Sequence, residues 1–209
     1  MKDVLKNFTI RRHWWLKLIW DKKYTFLYET GWIRSFKERR PVNLNGETLP
    51  WLSQSIIYFL EDRLKTDFRV FEYGCGNSTL WFSRKGIPVH SVELDASWYE
   101  IIKDQLPSSC KLILQQDLEK YPLAIGSSSY ELVLIDGRNR VKCMEAAIRQ
   151  LSETGVIILD DSNRDKYYSC YEIAQANGFR WIDFWGVGPG SIEWKSTTVF
   201  YRDNNCLGV

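Results

Sequence analysis

Acidic side chains recur in this sequence directly after short apolar runs, where their carboxylates could bind a ligand or accept a proton. Glu93 ends one run, Asp117 follows another, Asp136 follows a third, and the pair Asp160 and Asp161 follows a fourth. One such carboxylate could be a solvated loop charge. A series of them, each after a strand of a parallel sheet, indicates a binding or catalytic site at one edge of that sheet.

A glycine-rich loop precedes these carboxylates, in the segment EYGCGNST at residues 72–79. Glycine lets the backbone turn tightly and approach a ligand closely. Asn77 and Ser78 are favourable N-cap residues for a helix whose free N–H groups would face that ligand. Glu93 ends the next strand, where a ribose diol is bound in folds of this kind. The pattern predicts a site for a nucleoside-containing cofactor.

Two cofactors fit this loop, and its details favour S-adenosylmethionine (SAM) over NAD. The dinucleotide pattern G-x-G-x-x-G would need a third glycine where Thr79 stands. Glu72 precedes the loop, and its carboxylate would repel a pyrophosphate but attract a cationic methionine group. A NAD-dependent oxidoreductase is therefore disfavoured.

The elements that position these residues alternate between strands and helices. Short apolar strands are expected near 69–73, 89–93, 111–115, 130–135 and 155–159, with helices between them. Continuously apolar strands indicate a parallel sheet that is covered on both faces. Two final strands, near 179–184 and 196–201, have no helix between them and predict an antiparallel hairpin.

The expected fold is α/β, a Rossmann-like doubly wound, mainly parallel seven-stranded sheet with an antiparallel C-terminal edge hairpin and a helical N-terminal extension. We expect residues 1–50 to form this basic, Trp-rich extension and residues 51–209 to form the SAM-binding domain.

The composition describes a chain that can build a core, because 44% of its 209 residues are hydrophobic and 26% are charged. Five widely spaced cysteines without a C-x-x-C pair argue against a disulfide framework or a zinc site. No apolar run has the length of a membrane span, and the first residues lack the apolar core of a secretory signal. The predicted location is cytoplasmic, with peripheral attachment to a membrane as an alternative.

Basic residues are concentrated near the N-terminus, because residues 1–41 contain eleven Lys or Arg and four Asp or Glu. Residues 11–20 are expected to form a short amphipathic helix. Its aromatic side chains could pack on the main domain, or the segment could bind an anionic membrane surface or a nucleic acid. The sequence leaves these readings open.

Four segments carry a resemblance to a known family. FEYGCGNSTLWFS resembles motif I of the class I SAM-dependent methyltransferases, and SVELDASWYE resembles their acidic motif after the second strand. YELVLIDGRNRVKC and GVIILDDSNRDKY resemble the fourth- and fifth-strand motifs of a poorly characterised bacterial methyltransferase-like group. The resemblance covers roughly residues 50–202.

The resemblance implies a role for each matching position. Glu93 would bind the ribose hydroxyls with Leu94 beside it, Asp117 would reach the adenine, and Asp136 would lie near the transferred methyl group. The loop residues that would border or enclose the methionine end are Glu72, Tyr73, Gly74, Gly76, Asn77, Ser78 and Thr79.

A second resemblance concerns metal. Catechol-type O-methyltransferases hold Mg²⁺ with an Asp after the fourth strand and an Asp-Asn pair after the fifth. Asp136 matches the first position, and Asp160 and Asp161 lie in the second region. The Asn of the pattern is absent, because Ser162 follows Asp161. Carboxylate oxygens suit Mg²⁺, so Asp136, Asp160 and Asp161 are candidate ligands. The alternative is that one of the pair caps the next helix.

Candidate catalytic and substrate residues lie in the same regions. Asp136 is the leading candidate for a catalytic base, with Asp161 as a second catalytic carboxylate. Arg138 and Arg140 could hold an anionic group of a substrate or form surface ion pairs. Trp185, in a Gly- and Trp-rich loop, could contribute to an acceptor pocket or belong to a long turn.

The expected activity is SAM-dependent O-methylation of a small molecule or glycan. Two alternatives remain. One is a nucleic-acid methyltransferase that uses the basic extension, and the other is a non-catalytic SAM-binding or membrane-associated accessory protein.

Overall fold

The computed structural model describes residues 25–209, and these contain one seven-stranded sheet. The strands are β1 (Val70–Tyr73), β2 (Val89–Glu93), β3 (Lys111–Leu114), β4 (Tyr130–Ile135), β5 (Leu151–Leu159), β6 (Arg180–Val187) and β7 (Trp194–Tyr201). Their order across the sheet is β3-β2-β1-β4-β5-β7-β6. Strands β1 to β5 are parallel, and β7 lies antiparallel between β5 and β6. The predicted fold class is confirmed.

Seven helices accompany the sheet in this part of the chain. They are α1 (Phe26–Glu29), α2 (Trp32–Glu38), α3 (Gln54–Glu61), α4 (Asn77–Arg84), α5 (Ala96–Lys103), α6 (Arg140–Ile148) and α7 (Tyr168–Ala176). Two 3₁₀ turns, Tyr121–Ile125 and Asp165–Tyr167, lie between elements.

Both faces of the sheet are buried, which explains the continuous apolar runs. Along β4, Leu132 and Leu134 belong to one core cluster, while Val133 and Ile135 belong to another. Successive strand residues point to opposite faces, so an apolar residue is needed at every position. The helices that cover the two faces therefore leave the strand ends as the accessible edge.

The order of strands reverses at β1, which has β2 on one side and β4 on the other. Such a switch point opens a crevice at the carboxyl ends of the strands. Gly74 begins the loop there with φ of 90°, and a Cβ at this position would lie 3.1 Å from the backbone of Gly137. Only glycine allows the loops after β1 and β4 to approach so closely.

Residues 25–50 pack against the rest of the chain. Trp32 donates from Nε1 to the carbonyl of Ser191 at 2.7 Å, and Val42 is fully buried. Gly190, with φ of 70°, lies so close to α2 that a Cβ there would be 2.9 Å from Ser35. Residues 25–50, the part of the predicted extension that the structure describes, are thus attached to the loop between β6 and β7.

The predicted amphipathic helix at residues 11–20 lies outside the described residues. Within residues 25–209, none of the helices combines the length and the hydrophobicity that crossing a membrane requires.

Candidate functional site

Two cavities open at the carboxyl edge of the sheet. The smaller cavity has a volume of about 330 Å³ and lies beside the loop after β1 and the ends of β2 and β4. The larger cavity, of about 850 Å³, lies between α2, the end of β5 and the loop between β6 and β7. Asp136 and Arg164 border both cavities. The two spaces therefore meet at the end of β4.

Glu93 borders the smaller cavity and ties the glycine loop to β2. Its Oε1 accepts hydrogen bonds from the N–H groups of Leu94 at 2.8 Å and Asp95 at 2.9 Å, and its Oε2 accepts from the N–H of Cys75 at 2.9 Å. A carboxylate offers about four acceptor positions. Oε2 therefore keeps one acceptor position for a ligand hydroxyl.

Trp98 forms an aromatic side of the smaller cavity. Its indole N–H donates to the carbonyl of Cys75 at 2.5 Å, and its ring lies 3.4 Å from the position of a Cβ on Gly76. Asp95 caps α5 by accepting from the N–H groups of Ser97 and Trp98. The cap and the indole hydrogen bond together fix the ring beside the glycine loop.

Arg140 joins the ends of β4 and β5. Its Nη2 donates to the carboxylate of Asp136 at 2.9 Å and to the Asp136 carbonyl at 2.8 Å, and its Nη1 donates to the carbonyl of Asp160. Its Nε donates to the carbonyl of Gly137 at 3.0 Å. The guanidinium is buried and held by these acceptors, and it also borders the smaller cavity, so a contact of Arg140 with a substrate anion stays a prediction.

Lys195, on β7, also lies at the larger cavity, although no sequence pattern indicated it. Its Nζ lies 2.5 Å from Oδ2 of Asp160, 3.1 Å from Oδ1 of Asp161 and 3.0 Å from the carbonyl of Trp51. Only the antiparallel insertion of β7 beside β5 brings this lysine to the acidic pair. No local motif could have indicated it.

The environment changes the pKa values of this cluster. Burial and the neighbouring Asp160 carboxylate raise the pKa of Asp136 well above its ordinary value, against the opposing effect of Arg140 and Lys195. Burial also raises the pKa of Asp160, although Lys195 opposes it. Burial lowers the pKa of Lys195, but Asp160 and Asp161 outweigh it and raise the value overall. Lys195 therefore stays charged, and Asp136 is a stronger base than an ordinary carboxylate.

Solved structures share this fold at low sequence identity. An O-methyltransferase from Bacillus cereus in complex with SAH is 18% identical, over 72% of this chain and 80% of its own, with a TM-score of 0.59. A precorrin-6y C5,15-methyltransferase from Geobacter metallireducens is 16% identical, over 72% and 88%, with a TM-score of 0.55. A magnesium protoporphyrin IX methyltransferase from Synechocystis with bound SAM is 11% identical, over 71% and 76%, with a TM-score of 0.53.

The fold is that of the class I SAM-dependent methyltransferases. No protein-family model matches the chain, and no curated protein matches it. The shared fold places the glycine loop and the strand-end carboxylates at the edge where such folds bind ligands.

Glu72 does not reach the smaller cavity of this methyltransferase fold. Its carboxylate is fully buried and accepts hydrogen bonds from the hydroxyls of Ser78, Thr79 and Ser91. Burial raises the pKa of Glu72 to about 7, against the effect of these hydroxyls. The Glu72 carboxylate thus stabilises the glycine loop from the protein interior, and a contact with a ligand stays a prediction.

Some of the other residues in the glycine loop line the smaller cavity, and others stabilise the loop itself. Gly74 and Ser78 line the smaller cavity. Thr79 is buried, and its hydroxyl accepts from the N–H of Gly76 at 2.9 Å, so it holds the loop closed. Gly76 and Asn77 begin α4 without lining the cavity.

Tyr73 and Asp117, both predicted to contact the cofactor, do not line either cavity. The Tyr73 ring is in the core, and its hydroxyl donates to the carbonyl of Pro122 at 2.7 Å. Asp117 is exposed and accepts from the N–H groups of Glu119 at 2.9 Å and Lys120 at 3.3 Å. Its carboxylate stabilises a turn.

The acidic cluster does not fit Mg²⁺. Oxygens of Asp136, Asp160 and Asp161 lie within 4.8 Å of one another, but Lys195 and Arg140 already contact all three carboxylates. A cation would have to displace these groups to reach the oxygen ligands that it needs. The predicted magnesium site is therefore not supported by the donor set.

The two other predicted substrate residues lie in different places. Trp185 stacks on Trp194 with ring centroids 6.0 Å apart and borders neither cavity. Arg138 is exposed and borders the smaller cavity rather than the larger one.

Residues that precede the predicted domain border the larger cavity. Lys37, Arg39 and Arg40, at the end of α2 and just beyond it, line one side, and Trp51 and Pro189 provide apolar surface. This basic wall was not predicted, because residues 1–50 were expected to form an extension separate from the SAM-binding domain.

Proposed function

We propose that this chain is a SAM-dependent methyltransferase that methylates an oxygen of a small-molecule or glycan acceptor. The smaller cavity would hold SAM and the larger cavity would hold the acceptor. The observation that carries this proposal is that the two cavities meet at Asp136. A methyl donor and an acceptor hydroxyl bound in them would face each other beside one carboxylate.

The smaller cavity has chemistry that suits SAM. Oε2 of Glu93 offers an acceptor position to a ribose hydroxyl, and Trp98 and Leu94 offer apolar contact for an adenosine group. Gly74 allows a ligand to approach the backbone without a side chain between them.

SAM, when bound, supplies a methyl group that is activated by its positive sulfur. Asp136 would accept the proton of the acceptor hydroxyl at Oδ2 as the new oxygen–carbon bond forms and the sulfur–carbon bond breaks. The raised pKa of Asp136 supports this role. Much of the rate would come from holding the two reactants in line within the adjoining cavities.

The larger cavity favours an acceptor that carries an anionic group near its hydroxyl. Lys37 and Arg39 line it and have no ion-pair partner within residues 25–209. The half-exposed Trp51 offers a flat face on which a sugar ring can stack. A phosphorylated or carboxylated sugar would satisfy both features.

Nucleic acid is the second candidate acceptor, because the same basic wall would attract phosphates. Its binding would weaken steeply with added salt. An accessory protein without activity would bind SAM and release no product.

The experiment is a turnover screen with the purified full chain, which measures S-adenosylhomocysteine. The acceptors are sugars, sugar phosphates, phenols, hydroxy acids, transfer RNA and DNA. We expect product with a hydroxyl-bearing small molecule, and loss of product in Asp136→Asn with SAM binding retained. Product with nucleic acid alone would establish the second candidate, and a chain that does not bind SAM would refute the proposal.

A further inference from the structure

We propose that the ammonium of Lys195 takes the place of a divalent metal ion in this site, as a built-in cation that holds Asp160 and Asp161 beside Asp136. The part of this inference that concerns metal binding does not depend on the proposed methyl transfer. The part that concerns catalysis rests on that proposed function.

Every N–H group of the Lys195 ammonium has a hydrogen-bond acceptor. It carries three N–H groups, and three acceptors lie within hydrogen-bond distance: Oδ2 of Asp160 at 2.5 Å, Oδ1 of Asp161 at 3.1 Å and the carbonyl of Trp51 at 3.0 Å. Its side chain is 13% exposed. The ammonium borders the larger cavity, but its three N–H groups already have acceptors within the protein.

Two arginines neutralise the remaining negative charge of the three aspartates. Arg140 contacts Asp136 at 2.9 Å and Asp161 at 3.6 Å, and Arg164 contacts Asp161 at 2.7 Å. Three carboxylates are thereby balanced by three cationic side chains. An additional dication would create a large positive excess in a poorly solvated place.

Both carboxylate oxygens of Asp160 already accept hydrogen bonds from side chains of the protein. Its Oδ2 accepts from Lys195, and its Oδ1 accepts from the hydroxyl of Thr197 at 2.6 Å. That threonine oxygen in turn accepts from the N–H of Ser53 at 3.2 Å. A metal ion that took the place of Lys195 at Asp160 and Asp161 would leave the buried ammonium with only the carbonyl of Trp51, which is strongly unfavourable.

One carboxylate oxygen of the cluster stays available. Among the residues that the structure describes, Oδ2 of Asp136 has no hydrogen-bond or ion-pair partner, whereas every oxygen of Asp160 and Asp161 has one. Lys195 acts as a positioning residue, because it binds the carboxylates of Asp160 and Asp161. The free oxygen of Asp136 can then contact the substrate.

The test is Mn²⁺ binding to the full chain, measured by calorimetry and by electron paramagnetic resonance without SAM. We expect wild type and Lys195→Arg to show no binding at this cluster at millimolar Mn²⁺. Lys195→Ala removes the ammonium and should bind one Mn²⁺ at least about tenfold more tightly than wild type, a gain of 1.4 kcal/mol or more. Adding Asp160→Asn to Lys195→Ala should abolish that binding.

Two results would overturn the inference. One is stoichiometric Mn²⁺ binding by the wild type that Asp160→Asn removes. The other is a folded Lys195→Ala protein that binds Mn²⁺ no better than wild type. The comparison of wild type with Asp160→Asn needs no change at Lys195, so it decides the question even if Lys195→Ala does not fold. Failure to bind SAM would refute the proposed function and leave these results unaffected.

Discussion

Arg140 donates from Nη2 to Oδ1 of Asp136 at 2.9 Å, and this contact orients the carboxylate so that its oxygens differ. Oδ1 is held by the guanidinium, while Oδ2 has no partner among residues 25–209. Because Asp136 borders both cavities, the free oxygen is the natural proton acceptor for a hydroxyl in the larger cavity.

Replacing Asp136 by Asn should remove this proton acceptor without removing volume. We expect turnover to fall by about 10²- to 10⁴-fold, which is the usual contribution of a positioned base. SAM affinity should change little, because the amide can still accept from Arg140. The measurement is product formation together with SAM titration, and the exposed Asp165→Asn is the matched control. Undiminished turnover in Asp136→Asn would exclude this role for the carboxylate.

Replacing Trp32 by Phe should loosen the wall of the larger cavity. The change removes the indole N–H that donates to the carbonyl of Ser191 at 2.7 Å, while stacking on Phe36 is retained. A hydrogen bond contributes about 1 kcal/mol, so the KM for the acceptor should rise about fivefold with SAM affinity unchanged. Trp181→Phe, on β6 and outside both cavities, should leave both constants unchanged. An equal effect of both substitutions would show that the attachment of α2 does not matter to the acceptor.

Replacing Glu72 by Gln should change how stability depends on pH. The folded pKa of Glu72 is raised to about 7, so between about pH 4.5 and 7 the folded state holds a proton that the unfolded state has released. The free energy of unfolding of the wild type should therefore fall through this window as pH rises. Gln cannot ionise, and at pH 8 it should make the protein more stable than wild type by about 3 kcal/mol.

The measurement is chemical unfolding at several pH values between about 5 and 8. Glu172→Gln, at an exposed position of α7, should follow the wild type throughout. If the free energy of unfolding falls equally in Glu72→Gln and wild type as the pH rises, the carboxyl of Glu72 is not the group that titrates.

The sheet and the site edge could be predicted because their signals are local. Apolar strands that end in Gly74, Glu93 or Asp136 specify the order of elements and the edge at which side chains meet. Glu72 and Tyr73 could not be placed from the same motif, because whether a residue faces the ligand or the core depends on packing from neighbouring strands. Glu93 is the last residue of β2 and borders the cavity, whereas Glu72 precedes the last residue of β1 and is fully buried.

Lys195 and Lys37 were missed for a related reason. Lys195 reaches Asp160 only because β7 pairs with β5, with Leu159 opposite Thr198, and this pairing joins segments far apart in the chain. Lys37 borders the larger cavity because α2 folds back onto the loop between β6 and β7. Neither long-range contact leaves a pattern in the surrounding sequence.

The central claim is that the smaller cavity binds SAM, and calorimetric titration of SAM into the full chain tests it most directly. We predict one site in the wild type, binding at least about tenfold weaker in Glu93→Gln, and unchanged binding in Asp117→Asn, since Asp117 lies outside the cavity. Thermal unfolding should show that all three proteins are folded. A wild type that does not bind SAM, or a loss of binding in Asp117→Asn but not in Glu93→Gln, would contradict the account.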